Sequence, residues 1–407
     1  MATPPPLTVC LSSNTAWSIF NFRAGVIKAL QARGFRIVII APEDTFSGKL
    51  AAMGCEVHDI RIDNKGTNPW ADLRTVFAYG VLYRRLKPAI ALHYTIKPVI
   101  YGTIAARWLG VECINMVTGL GMAFAKDSWI TKMVEWLYRI SQNHPAKIFF
   151  LNEEDKLIFL ERQLIRSADA EALPGEGINL AEFKDTVRAE VLTSGSGVNL
   201  EQFPISTVAP RSAIFLLVAR MLREKGVAVF VEAAALLRLR GVNARCQLLG
   251  PLGVANPTAI GQAEMDAWVG QGTIEYLGET GDVRPHVHAA TCVVLPSYYR
   301  EGVPRSLMEA AAMGKPIITT DSVGCREVVD DGITGFLCRP RDAKDLADKM
   351  EAMVRLPESE RLKMGAKGRA KMERQFDEKL VIRRYLEVID EVLSKPRKSA
   401  GGRVVQS

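Results

Sequence analysis

Paired cysteines, long apolar runs and metal-ligand clusters are what this sequence has least of. Its seven cysteines, Cys10, Cys55, Cys113, Cys246, Cys292, Cys325 and Cys338, stand singly, odd in number and without C-x-x-C spacing. That distribution argues against a zinc ribbon or a disulfide framework and predicts reduced thiols in a cytoplasmic protein. No uninterrupted stretch approaches the roughly 20 apolar residues of a membrane span, and Met1-Ala2-Thr3-Pro4-Pro5-Pro6 lacks a basic segment followed by an apolar one. The expectation is a chain that is neither exported nor membrane-spanning. An acidic excess is missing too, since 52 Lys and Arg outweigh 45 Asp and Glu for a formal charge of +7. A basic balance leaves nucleic acid, an anionic bilayer surface or a phosphorylated substrate as partners. No zinc-finger spacing or aromatic RNA-binding signature supports the first. His286 and His288, two apart in a short helical stretch, do not share a face and so make no metal site.

What is present is a repeated alternation of short apolar runs with helical patterns. Strands are predicted over Leu7 to Ser12, Arg36 to Ala41, Cys55 to Ile60, Ala89 to His93, Glu112 to Met116 and Lys147 to Leu151, with helical segments between them. A second series begins at Ala213, with strands over Ala213 to Ala219, Ala244 to Leu249, Thr273 to Leu277, Thr291 to Leu295 and Pro316 to Thr320. Repeated βα units form parallel sheets covered by helices on both faces. At 407 residues the chain is long for one core, so two doubly wound α/β domains are expected. The boundary is placed at the turn-rich Gly195-Ser196-Gly197-Val198-Asn199, giving domains of 1–195 and 196–377. The basic, Gly- and Ser-containing end of the chain, 395–407, reads as a disordered tail. The segment 175–183 nearly repeats 195–203, without a physical reason legible in the sequence.

The second series contains the most sharply bounded element, a short helix after Pro304 and before Gly314-Lys315-Pro316. Pro304 suits a helix start, Gly314 a left-handed residue past its end, and Pro316 blocks continuation. Its interior is apolar nearly all round and carries one carboxylate, Glu309, while Glu301 lies eight residues earlier beside Gly302. A buried carboxylate needs a cation, donors or ligand hydroxyls. Glu301, Glu309 and the free N–H groups of the helix start are therefore expected to converge on a ligand; the alternative is a solvated Glu301 with Glu309 paired to Arg305 at i, i+4. The strand end Ala219-Arg220-Met221-Leu222-Arg223-Glu224-Lys225-Gly226 places Arg220 and Lys225 just before a helix, an arrangement suited to phosphate.

Pro296 to Pro304, the E-x7-E pair, Arg220 with Lys225, the Gly-Ser-Gly-Val-Asn stretch, and Gly324-Cys325-Arg326-Glu327 before Gly332-Ile333-Thr334-Gly335 together resemble the retaining glycosyltransferases of family 4. The resemblance spans about residues 7 to 394. In the first half it is nearest to enzymes building bacterial surface polysaccharides or lipid-linked glycans, through Tyr94 to Gly102, Thr118-Gly119-Leu120-Gly121, and Asn152 with Asp155. It implies a GT-B fold, two Rossmann-like domains with a last helix, 378–394, crossing back onto the first. It further implies a UDP-sugar donor, held by Arg220 and Lys225 at the diphosphate, by Glu309 at the ribose, and by Glu301 with the N–H groups of Gly302 and Val303 at the sugar. The acceptor side would use Asn14, Arg23, Tyr94, Lys97 and Gly119, with Trp17, Phe20, Asn21 and Phe22 near the entrance. No D-x-D occurs in the chain, in keeping with a fold that needs no metal or other cofactor.

The implied reaction moves a sugar, an N-acetylhexosamine, with retention onto a polyprenyl-diphosphate-linked saccharide. A UDP-N-acetylglucosamine 2-epimerase of the same fold and a non-catalytic sugar-nucleotide-binding subunit are the alternatives. Family members often carry a histidine after the fourth strand; the aligned position here is Tyr94, leaving His93 as either a substitute or a strand-end core residue. Trp129, Ile130, Met133, Trp136, Leu137 and Ile140 recur at helical spacing near Lys132 and Arg139. They read either as a face lying on the anionic inner membrane or as a helix packed into the first domain.

Overall fold

The computed structural model describes residues 5–63, 68–119, 129–184 and 212–395. They form two compact units, Met1–Glu176 with Glu378–Ser407, and Gly177–Asp377. The division thus falls upstream of the expected turn at 195–199, which lies outside the described residues together with the second copy of the near-repeat. Backbone bonding explains the earlier division. The Ile178 N–H donates to the Phe376 carbonyl at 2.7 Å and the Arg369 guanidinium to the Phe183 carbonyl at 2.6 Å, which ties 177–184 to the second unit.

In the first unit, strands β1 (Thr8–Ser12), β2 (Arg36–Ile40), β3 (Glu56–His58), β4 (Ile90–Tyr94), β5 (Glu112–Val117), β6 (Lys147–Phe150) and β7 (Ala170–Ala172) form one parallel sheet in the order β3-β2-β1-β4-β5-β6-β7. The central strands are apolar at successive positions because both faces are covered. Val9, Leu11, Ile90 and Leu92 face one layer of helices, α1 (Ala16–Ala32) and the C-terminal helix Glu378–Ser394. Cys10, Ala91, Cys113 and Phe150 face the other, with α3 (Pro69–Leu86), α4 (Thr103–Leu109), α5 (Trp129–Ser141) and α6 (Glu153–Glu161). A short α2 (Ser47–Ala52) lies between β2 and β3. Asn68 caps α3 by accepting from the Trp70 N–H at 3.0 Å, with Pro69 in the first turn. Before α4 the chain leaves β4 through a wide turn, Pro98–Gly102. A Cβ on Gly102 would lie 2.6 Å from His93 Nε2, so only glycine lets this turn close on β4.

The second unit repeats the plan with β8 (Ala213–Val218), β9 (Ala244–Leu249), β10 (Glu275–Tyr276), β11 (Cys292–Leu295), β12 (Ile317–Thr320) and β13 (Gly335–Cys338), in the parallel order β10-β9-β8-β11-β12-β13. Its helices are α7 (Val227–Leu239), α8 (Gln262–Gly270), α9 (Arg284–Ala289), α10 (Arg305–Ala312), α11 (Ala343–Arg355) and α12 (Glu358–Lys371). Both sheets have the doubly wound order of a Rossmann-like domain, with all neighbouring strands parallel among the described residues. In each, the strand order reverses at one place: between β1 and β4 in the first unit, and between β8 and β11 in the second. Crossovers leave in opposite directions there, and the crevice beyond the carboxyl ends of those two strands is where such sheets take ligands.

Candidate functional site

The chain after β8 and the chain after β11 leave the second sheet on either side of its reversal point. After β8, residues Arg223–Lys225 make one tight turn and Gly226, at φ +79°, starts α7. After β11, the N–H groups of Tyr298 and Tyr299 both donate to the Glu224 carbonyl, at 3.0 and 3.3 Å. This lacing needs glycine. A Cβ on Gly226 would collide with the Pro296 carbonyl, and one on Gly324, at φ +82°, with the carbonyls of Glu301 and Gly302. Loops from three neighbouring strands are thereby held together.

The laced loops bring Lys225 and Glu301 into an ion pair, Nζ to Oε1. Both side chains are mostly buried, at 16% and 12% exposure, so each charge depends on the other for solvation. The Ser297 hydroxyl lies 2.8 Å from Glu301 Oε1 and 3.1 Å from the Glu224 carbonyl, one proton serving one acceptor at a time. Ser297 was not singled out in the sequence. Its only signal there is its place two residues past an apolar strand in a run already marked by Glu301. Arg220 is exposed and has no side-chain partner among the described residues. Gly302 is half-buried and Val303 buried in the turn leading to α10.

Glu309 sits one turn into α10, paired with Arg305 at 2.8 Å, which is the i, i+4 alternative. The two acids therefore do not share a cation. Burial pushes the Glu309 carboxyl above its ordinary range, Arg305 pulling it back and Glu182 and Asp282 adding repulsion. Glu301 is not a solvated loop acid. The end of α10 is built as expected: Gly314 adopts φ +70°, its N–H bonds to the Ala311 carbonyl and that of Lys315 to Ala310, both at 3.0 Å.

In the first unit, the reversal point lies between Ser12 and His93, the paired ends of β1 and β4. The Asn14 N–H donates to Thr95 Oγ1 at 3.2 Å across it. Thr95 takes a left-handed φ of +67°, uncommon for a β-branched residue. Lys97 is held by Asp72 at 2.6 Å, and Gly119, at φ +126°, is the last residue before an undescribed segment. Arg23 and Tyr94 depart from the expectation. Arg23 is 3% exposed, ion-paired with Glu176, and stacks 4.2 Å over the ring of Tyr94, itself 2% exposed. They form part of the core near the C-terminal helix, where Tyr94 packs on Tyr385, and do not line a solvent-open entrance. A sequence run after a strand does not say which side chains turn inward. His93 is also core. Tyr83 Oη lies 2.7 Å from its Nε2 and Asn115 Oδ1 2.9 Å from its Nδ1. Burial pushes its pKa down to about 4, keeping it neutral.

Among the described residues, no group of three or more His, Cys, Asp and Glu side chains is placed to hold a metal ion. All seven cysteines are buried free thiols.

A family model described as "Glycosyl transferase 4-like" matches residues 8–150, and one described as "Glycosyl transferases group 1" matches residues 212–355. A Campylobacter jejuni protein named N,N'-diacetylbacillosaminyl-diphospho-undecaprenol alpha-1,3-N-acetylgalactosaminyltransferase is 28% identical over 391 residues, covering 94% of this chain and 98% of the relative. An Escherichia coli UDP-Gal:alpha-D-GlcNAc-diphosphoundecaprenol alpha-1,3-galactosyltransferase is 23% identical across 73% of each chain. Among solved structures, a Rickettsia africae glycosyltransferase superposes with a TM-score of 0.73 at 20% identity, over 96% of this chain and all of that one. The Anabaena protein HepE in complex with UDP gives 0.72 at 15% identity, over 95% and 100%.

Proposed function

This chain belongs to the GT-B glycosyltransferases, its two units matching the 4-like and group 1 models, and from that premise we propose that it transfers an N-acetylhexosamine from a UDP-sugar to a polyprenyl-diphosphate-linked saccharide, with retention at the anomeric carbon. The observation that carries the reading is the Lys225–Glu301 pair, held beyond the carboxyl ends of β8 and β11 by loops that only glycine at 226 and 324 allows to meet. The names of the Campylobacter and Escherichia relatives, both acting on diphosphoundecaprenol-linked sugars, support the acceptor class.

Catalysis of this transfer requires stabilising a departing diphosphate and a sugar that gains positive charge. In our assignment Lys225 and Arg220 meet the diphosphate. Lys225 is already fixed by Glu301 and therefore loses little freedom on meeting an anion, while exposed Arg220 closes on it from solvent. Glu301, with the N–H groups of Gly302 and Val303, takes the hydroxyls of the transferred sugar. Glu309 accepts from the ribose through the oxygen not held by Arg305. Asn14, Lys97 and Gly119 stand on the acceptor side. No metal is needed in this scheme, because cations of the protein meet the diphosphate. Activity should persist in excess EDTA, and loss on chelation with recovery in Mg²⁺ or Mn²⁺ would refute that part.

The enzyme works at the cytoplasmic face of the inner membrane as a peripheral protein. No described helix is long and apolar enough to cross a membrane. The test is incubation with UDP-N-acetylglucosamine, UDP-N-acetylgalactosamine, UDP-glucose and UDP-galactose, each with a short-chain prenyl-diphosphate-linked sugar, followed by mass spectrometry. One N-acetylhexosamine should be added, with acceptor-dependent release of UDP. Donor conversion indifferent to acceptor, or no added sugar from any donor, would overturn the proposal.

A further inference from the structure

Of the helices α3, α4, α5 and α6 that cover one face of the first sheet, α3, α4 and α5 carry apolar residues on both their inner and outer sides. On α3 the buried residues are Thr75, Val76, Tyr79, Tyr83 and Leu86. Opposite them, Trp70, Leu73, Phe77 and Val81 are 74%, 55%, 72% and 51% exposed. At 3.6 residues per turn these four fall within roughly a quarter of the helix circumference. A helix apolar all round belongs in an interior, yet the outer side chains of α3 are each more than half exposed. The neighbouring helices repeat the pattern, with Trp108 exposed on α4 and Trp129, Trp136 and Ile140 on α5. Four of the six tryptophans of the chain thus open outward from this one layer.

The charges on the layer choose its occupant. On α3, Arg74, Arg84 and Arg85 are exposed on the same outer sector as the stripe, and the only acid of the helix, Asp72, is held by Lys97. On α5, Lys132 is exposed and Glu135 is tied to Arg162. Among their described residues α3, α4 and α5 offer tryptophan, phenylalanine and arginine with no unpaired carboxylate, the exposed Glu153 and Glu161 of this side standing on α6, and such a surface matches the boundary between acyl chains and anionic headgroups. It would repel its own copy, since like charges would face each other across a two-fold contact. We infer that the outer face of α3, continued by Trp108 of α4 and by Trp129, Trp136 and Ile140 of α5, docks on an anionic bilayer surface. The inference rests on the reading of the acceptor as a lipid, and takes the bilayer alternative for the α5 face together with α3 and α4.

Vesicle flotation tests it. The protein should float with vesicles of phosphatidylglycerol and phosphatidylethanolamine and stay down with phosphatidylcholine alone. Trp70→Ser with Phe77→Ser should reduce the bound fraction about tenfold, given the apolar area each ring removes from water. Arg84→Glu with Arg85→Glu should do so only where phosphatidylglycerol is present. Unchanged melting temperatures would show the variants folded, and transfer to a water-soluble acceptor without the prenyl chain should be unaffected while transfer to a vesicle-embedded acceptor falls. Wild-type protein that does not float, or variants that float as well as wild type, would overturn the docking face. So would a wild-type dimer in sedimentation equilibrium that the aromatic substitutions dissociate. Each of these outcomes would leave transfer to the soluble acceptor intact, and absence of that transfer with normal flotation would instead sink the enzymatic reading alone.

Discussion

Single side chains separate the two acids of the site by the company they keep. Glu301 shares its carboxylate with Lys225, seventy-six positions away, whereas Glu309 is tied to Arg305 on its own helix. Glu301→Gln should therefore weaken both the contact to the reacting sugar and the hold on Lys225, and appear mainly as lower kcat. Glu309→Gln should mainly raise the donor KM, because ribose contacts act equally in ground and transition states. Steady-state kinetics with saturating acceptor check this, and the reverse pattern would mean the roles are exchanged. Lys225→Ala and Arg220→Ala should each lower kcat by ~10²–10³, with Arg220→Ala leaving stability unchanged because its side chain is exposed. His93 gives a different test. With its folded pKa depressed to about 4, the unfolded chain binds the proton first as pH falls below about 6.5. Stability is then lost as pH drops from about 6.5 towards 4, by about 2 kcal/mol at pH 5. In urea titrations, His93→Gln should lack this part of the acid sensitivity of the first unit, and an unchanged pH slope would show that another group carries it.

At the level of elements, legibility followed how local each cause was. The helix α10 was readable because Pro304, Gly314 and Pro316 mark its ends within a dozen residues. Strands β7 and β13, three and four residues long at sheet edges, gave too little periodicity to stand out. The Lys225–Glu301 pair was not readable as a contact, since only the strand order places β8 beside β11. Chemistry could nominate both residues, but topology had to join them. The inward turn of Arg23 and Tyr94 was equally hidden, because it depends on Glu176 and Tyr385 from distant parts of the chain. The glycine-dependent lacing of the site loops is testable against a neutral control. Gly226→Ala meets both a left-handed φ and the Pro296 carbonyl, while Gly332→Ala, at φ +72°, meets no atom within 4 Å. The control should cost about 1–2 kcal/mol from backbone strain alone. Gly226→Ala should cost more and lower kcat as Lys225 shifts, and equal melting temperatures for the two variants would show the loops to be loosely joined.

The whole molecule is set by a chain that leaves its first unit at Glu176 and returns to it at Glu378. The returning helix is part of a core, not an appendage: Val381, Tyr385, Val388, Ile389 and Val392 are each no more than 5% exposed, and Arg384 pairs with Glu171 of β7 at 2.7 Å. Gly25 of α1 lies against the same helix: a Cβ there would come 2.8 Å from Glu378 Oε2 and 2.9 Å from Ile382 Cδ1, so both side-chain ends would have to shift. Each buried apolar side chain of this size contributes roughly 1.5–3 kcal/mol, so losing five would remove about as much as the entire stability of an ordinary domain, roughly 5–15 kcal/mol. Residues 1–377 should therefore contain an unfolded first unit beside a folded second one. The segment 177–377, whose sheet and helices close without the C-terminal helix, should fold alone. Calorimetry of the full chain, 1–377 and 177–377 reads this directly. The two shorter chains should share one cooperative transition, and amide exchange in 1–377 should protect β8 to β13 while β1 to β7 exchange freely. Protection of β1 to β7 without residues 378–407 would show that the first sheet holds its own core, and that the returning helix only decorates it.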